Sequence, residues 1–256
     1  MSVEVHIDWE GETRFVGRLH SAERGSAVSF EYDRDWLARS DAFAIDPVSL
    51  PLRLGTHHAA ELFGVLQDCG PDRWGRMLVE RAVRKGVLER RPYREIDYVL
   101  ALDDSSRIGA LRFRTTPDGS FLAASHGKIP PLIKLGALLN AADAVHTQTE
   151  SGRDLRYLLG EGSPLGGARP KSVVALPDGR LAIAKFPKPD DLRDIAAGEV
   201  LALAIAEKSG VCVAEHRLVN VQKKNVAVIT RFDRDGARRI PFLSANTLLG
   251  LPPAES

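Results

Sequence analysis

The sequence predicts an α+β chain. Three observations carry that reading: short alternating apolar runs near the start, apolar residues at helical spacing from Trp74, and a glycine-rich stretch that opens into strand, strand, helix, strand and strand. Val3, Val5 and Ile7 alternate with polar neighbours, and Arg14 to Leu19 and Ala27 to Tyr32 repeat the pattern between glycine-containing breaks. Trp74, Met77, Leu78, Arg81 and Ala82 then recur as on a helix, with Asp68 placed to accept N–H bonds at its start and Gly86 to end it. Ile96 to Leu102 reads as a second helix. Gly109 to Arg114 returns to strand, closing a β-rich N-terminal domain over 1–115. Helical stretches around Leu132 to His146 and Leu155 to Leu159 make 116–162 a connector, and 163–256 forms a small lobe.

Composition narrows the function classes. With 256 residues, 44% of them hydrophobic, the chain can bury a sizeable core. Lys plus Arg number 35 against 34 for Asp plus Glu, so the overall balance demands neither nucleic acid nor an anionic membrane, and selectivity must come from local sites. Cys69 and Cys212 stand alone, which argues for reduced thiols. The first residues lack a basic-then-apolar leader and no run reaches the length of a membrane span, so a cytoplasmic protein is expected. His57, His58 and Glu61 have metal-ligating types but no third histidine at useful spacing, which favours surface or capping roles and no metal site. Trp74 reads as core. Arg81, Arg84, Lys85, Arg90, Arg91 and Arg94 form a basic cluster read as a solvated helix flank, with DNA or an acidic partner surface as the alternative.

The chemistry concentrates after Gly160. A dinucleotide fingerprint needs a strand before its glycines and a helix after them, and the order here is reversed. A phosphate-cradling Walker loop fails too, because Pro170 and not glycine precedes Lys171-Ser172. Gly166-Gly167 instead leads into a hairpin, Ser172 to Leu176 and Arg180 to Phe186, turning at Pro177-Asp178-Gly179. Period two places Ile183 beside Lys185, an apolar floor next to an ammonium group that suits adenine next to phosphate. The helix from Asp194 to Lys208 projects Glu199 among apolar neighbours, and Lys185 is its natural partner. Glu215 to Val221 and Val226 to Arg231, joined at Lys223-Lys224-Asn225, complete the lobe, with Arg231-Phe232-Asp233-Arg234 at its exit. A glycine loop, a lysine ending the second strand and a helical glutamate are the parts of a protein-kinase-like small lobe.

Four blocks give the chain a resemblance to the HipA family of bacterial toxin kinases: Asp68 to Arg76, Gly109 to Phe113, Gly166 to Lys171, and Arg231 to Arg234. The resemblance implies a serine/threonine kinase of a type II toxin–antitoxin system that uses ATP and Mg2+ and arrests growth. It implies as partner a HipB-like helix-turn-helix antitoxin, through which DNA is reached only indirectly. By match to the family motifs, Gly166, Gly167, Ala168 and Lys171 would lie along the phosphates, Lys185 with Glu199 would hold them, and Thr230, Arg231 and Phe232 would form the hinge. Family members often carry a loop serine that becomes phosphorylated and ejects the loop; that position is Pro164 here, so self-inhibition would fall to Ser163. No histidine follows His216 and no aspartate follows Asp235, so the sequence contains neither the catalytic base nor the magnesium ligands of a second lobe. The expectation is a lobe truncated after the hinge, with no catalytic residues and no phosphate transfer alone. The competing class is a non-catalytic module that docks on an antitoxin or a separate catalytic lobe; a nucleotide binder outside toxin biology is a further alternative. Apolar surface near Val228, Phe232 and Phe242-Leu243 is expected to stay open and invite association.

Overall fold

A computed structural model describes residues 1–22, 25–122, 129–160 and 169–251. From the N-terminus the elements are strands β1 (Ser2–Trp9), β2 (Glu12–Ser21) and β3 (Val28–Tyr32), helix α1 (Arg34–Leu37), strand β4 (Thr56–Ala59), helices α2 (Gly64–Asp68), α3 (Arg73–Arg84) and α4 (Glu95–Ala101), and strand β5 (Leu111–Arg114). Helices α5 (Leu135–His146) and α6 (Gly152–Gly160) follow, then β6 (Lys171–Ala175), β7 (Leu181–Lys185), α7 (Ile195–Lys208), β8 (His216–Val221), β9 (Lys224–Thr230) and α8 (Ala245–Leu248). The α+β class stands. The chain divides into two compact units, Met1–Gly70 with Pro92–Ser125 and Ala237–Ser256, and Pro71–Arg91 with His126–Gly236.

In the first unit the sheet runs β4-β3-β2-β1-β5, antiparallel throughout. Val3, Val5 and Ile7 of β1 point into a core with Val16, Leu19, Phe30, Trp36, Leu66 and Phe113. The alternate residues Glu4 and His6 are also buried, because their register partners cover them. Glu4 lies between Arg18 and Arg114, which donate to it at 3.0 Å each, and His6 lies between Phe15 and Arg112. Phe121 closes over this face, edge-on to His6 at 5.5 Å and under the Arg112 guanidinium at 3.7 Å. Burial works to raise the Glu4 carboxyl, but hydrogen bonds from Arg18, His6 and Arg114 outweigh it and hold it below its ordinary range. A second buried carboxylate, Asp104, receives Arg107, Arg112 and Arg239. The face opposite the core is therefore covered around Glu4 and His6 on β1, while Arg18, His20, Glu31 and His58 further along it stay exposed.

Four local expectations need correction in this unit. β4 was not expected, and it carries His57 into the interior opposite Phe30 instead of leaving it on the surface. Asp68 does not start a helix; it ends α2 and accepts from the Ser244 N–H (2.7 Å) and the Thr247 hydroxyl (2.9 Å). Phe242 and Leu243 are not open surface, since Leu243 packs on the core and Phe242 lines, with Ile7, Phe43 and Val65, an apolar cavity of about 170 Å³. Arg94 belongs to no solvated flank: it donates to Asp97, Ser21 and the Ala22 carbonyl.

The second unit holds the sheet β6-β7-β9-β8, again antiparallel. One face, with Val174, Ala182, Ala184, Val226 and Val228, packs on Leu138, Leu139 and Val145 of α5, Leu155 and Leu158 of α6, and Trp74, Leu78 and Ala82 of α3. Burial of that apolar stripe is what sorts α3 with this unit. The true N-cap of α3 is Asp72, which accepts from the Gly75 N–H at 2.8 Å, and Gly86 (φ +69°) follows its C-cap in a conformation that disfavours a side chain. Val228, expected to be exposed, lies in this core. Arg81 is anchored on buried Glu150 and leaves the solvated flank, whereas Lys85 reaches the same carboxylate from an exposed position. The β8–β9 turn falls at Gln222-Lys223 (φ +51° and +64°), one residue earlier than expected and without glycine.

Candidate functional site

The other face of the second sheet is polar at one end and apolar along its middle. Residues opposed in an antiparallel ladder share a face. Ile183 is flanked by Val173 and Ile229, while Lys185 is flanked by Lys171 and Ala227. The hairpin arises as expected from Pro177-Asp178-Gly179, with Gly179 at φ +86° supplying the turn. Helix α7 begins where Asp194 accepts the Ala197 N–H at 2.8 Å, and it carries Glu199 at the start of its second turn. The Lys185 ammonium and the Glu199 carboxylate form an ion pair. Both side chains keep 31% of their surface exposed, so Glu199 is half-buried and not enclosed as its neighbours had suggested.

That exposure decides what the pair is for. An ion pair this open contributes about 0–1 kcal/mol to stability, too little to explain placing it on an otherwise apolar face. A fixed, solvent-reachable ammonium beside an apolar floor can instead receive an anionic group whose apolar remainder lies on Ile183 and Ile229.

Lys171 behaves differently. It stands directly across the β6–β7 ladder from Lys185, yet only 3% of its side chain is exposed. Its Nζ meets Asp72 Oδ2 at 2.7 Å, while Oδ1 of the same carboxylate caps α3. Burial pushes the Lys171 ammonium below its ordinary value and Asp72 opposes that shift. Sequence reading missed this partner, which is 99 residues away; its one signal was the position of Asp72 within the Asp68 to Arg76 block. Arg169, just before β6, is ion-paired with Asp191, which also accepts the Lys188 N–H at 2.8 Å.

At the lobe's exit, Thr230 ends β9 and the Arg231 N–H donates to the Leu181 carbonyl at 2.9 Å. The Arg231 side chain is buried against Asp233 (2.6 Å), which also receives Arg234, whereas Phe232 is 62% exposed. Ser163, Gly166, Gly167 and Ala168 lie outside the described residues. Among the described residues no group of three or more His, Cys, Asp or Glu is placed to hold a metal ion. No described helix is long and apolar enough to cross a membrane. Cys69 is buried and Cys212 exposed, and neither is in a disulfide.

Comparison with known proteins bears on this arrangement. Residues 8–114 match the HipA N-terminal domain and residues 163–256 match the HipA-like C-terminal domain. No curated relative matches the sequence. Among solved structures, the chain is similar to one described as the Shewanella oneidensis MR-1 toxin–antitoxin system HipA, HipB and its operator DNA complex, with a TM-score of 0.61 and 17% identity. The match covers 98% of this chain and 57% of that one, so the chain spans little more than half the length of the protein whose fold it shares. With two family domains in order over most of its length and that fold, the chain belongs to the HipA family.

Proposed function

We propose that this chain supplies the N-terminal domain (1–115), the connector (116–162) and the nucleotide-binding small lobe (163–256) of a HipA-type toxin, an ATP-dependent serine/threonine kinase of a type II toxin–antitoxin system. The observation that carries the reading is the Lys185–Glu199 ion pair on the open face of a β-β-α-β-β lobe. ATP fits the residues present: Lys185 offers charge to the phosphates, the partly exposed Ile183 and Ile229 offer a floor to adenine, and the chain at Thr230 to Phe232 runs along the lobe's exit. Gly166, Gly167 and Ala168 would close on the phosphates, and Ser163 would be the candidate for regulatory phosphorylation. Mg2+ when bound neutralises phosphate charge; with no carboxylate cluster among the described residues, it would enter held by the nucleotide.

The HipA of the similar structure is in complex with HipB and operator DNA, which supports a HipB-like antitoxin as partner here, with DNA contacted through it in the cytoplasm. As a polypeptide by itself, residues 1–256 would bind nucleotide without transferring phosphate, because no histidine follows His216 and no aspartate follows Asp235 to serve as base or metal ligand.

Calorimetric titration with ATP and Mg2+ tests the nucleotide site. Binding should weaken at least about 10-fold in Lys185→Met; unchanged affinity would remove the basis of the reading. Incubation of the chain with labelled ATP and protein substrates should give no phosphoprotein, and substantial turnover would refute the non-catalytic assignment.

A further inference from the structure

We infer that Lys171 is a buried tether and not a phosphate ligand, and that Asp72 is its positioning partner, fixing where the chain enters β6 immediately after the glycine block. This inference rests on the nucleotide reading for its functional meaning but not for its test. Two lysines face each other across one ladder, and their surroundings separate their roles. Lys185 is 31% exposed and meets a carboxylate of equal exposure, whereas Lys171 and Asp72 are 3% and 5% exposed. A cation so enclosed cannot reach a ligand without leaving its carboxylate uncompensated. Asp72 is immobile in turn, because its other oxygen is committed to the Gly75 N–H at the head of α3, a helix locked into the core through Trp74, Leu78 and Ala82. The charge of Lys171 is thereby spent on joining β6 to α3. Only Lys185 of the two is left to face an incoming anion.

A set of variants separates tether from ligand: Lys171→Met, Asp72→Asn, the double variant and Lys185→Met, each titrated with ATP–Mg2+ and with adenosine, and each followed by thermal unfolding. Loss of Lys185 should collapse the preference for ATP over adenosine. Loss of Lys171 should leave that preference within about 2-fold of the parent, since adenosine and ATP suffer alike when a support moves. In unfolding, Asp72→Asn should be more damaging than Asp72→Asn combined with Lys171→Met, because the single change strands a buried cation and the double change removes it. A 10-fold or greater loss for ATP with adenosine unchanged in Lys171→Met would overturn the tether, as would additive unfolding effects. If the parent chain binds neither ligand, the nucleotide reading fails, and the unfolding cycle still decides between coupled and independent residues.

Discussion

The two sheets of this molecule treat their second faces in opposite ways. Each buries one face in an apolar cluster. On the first sheet one polar group is closed off: Glu4 is enclosed by two arginines and a histidine, and Phe121 covers the group. On the second sheet the Lys185–Glu199 pair stays half-open beside Ile183 and Ile229. Polar groups whose partners are complete and enclosed hold a fold together; a comparable pair left accessible contributes little stability and is available for chemistry. The contrast between Lys171 and Lys185 repeats this lesson within a single ladder.

The comparison can be broken where its predicted effects are largest. Arg107 is fully buried, donates to the Val99 and Leu102 carbonyls and to Asp104, and lies over the Phe113 ring. Arg107→Ala should cost about 3–5 kcal/mol in chemical denaturation, the range for removing one partner of a buried pair. Glu4→Gln should cost about 2 kcal/mol and also flatten the acid side of the stability profile. Both Glu4 and His6 have values lowered in the fold, from 4.5 and 6.5, so the unfolded chain binds more protons and stability is lost as pH falls below 6.5 and then through the depressed Glu4 value. A Glu4→Gln protein with an unchanged acid slope would show that this face is not sealed by charge.

On the open sheet the expected stability effects are small. Lys185→Met should change stability by no more than about 1 kcal/mol while weakening ATP binding, and a larger loss of stability would make the pair structural. Leu201 and Ile205 of α7 are 61% and 56% exposed, so Leu201→Gln and Ile205→Gln should each stay within about 0.5 kcal/mol of the parent. Substantial destabilisation by either would mean that this helix face is packed.

Much of the second unit was legible from local pattern. The turn at Pro177-Asp178-Gly179, the period-two strands beside it, and the helix bounded by Asp194 and Gly210 are signals contained within a few residues. Lys185 and Glu199 could be paired because strand and helix periodicity set their faces in advance. What escaped was set by distance or by context. Asp72 and Lys171 meet across 99 residues with no local cue. Glu4 and His6 occupy the polar positions of an alternating strand, and only the register that brings Arg18, Arg114 and Phe15 alongside them makes that face interior. β4 is four residues long, too short for periodicity to separate it from the loop around it, which is why His57 was placed at the surface. The β8–β9 turn holds left-handed backbone at glutamine and lysine, residue types that give no warning of it.

The central claim is that the Lys185 face of the second sheet, and not the Glu4–His6 patch of the first, receives nucleotide. Titrating ATP and Mg2+ into isotopically labelled protein and following residue-resolved NMR shifts tests it most directly. Signals of Ile183, Lys185, Glu199 and Ile229 should move together and saturate, while those of Glu4, His6, Arg18 and Arg114 stay in place. Shifts concentrated on the first sheet, or none around Lys185 at saturating nucleotide, would contradict the account.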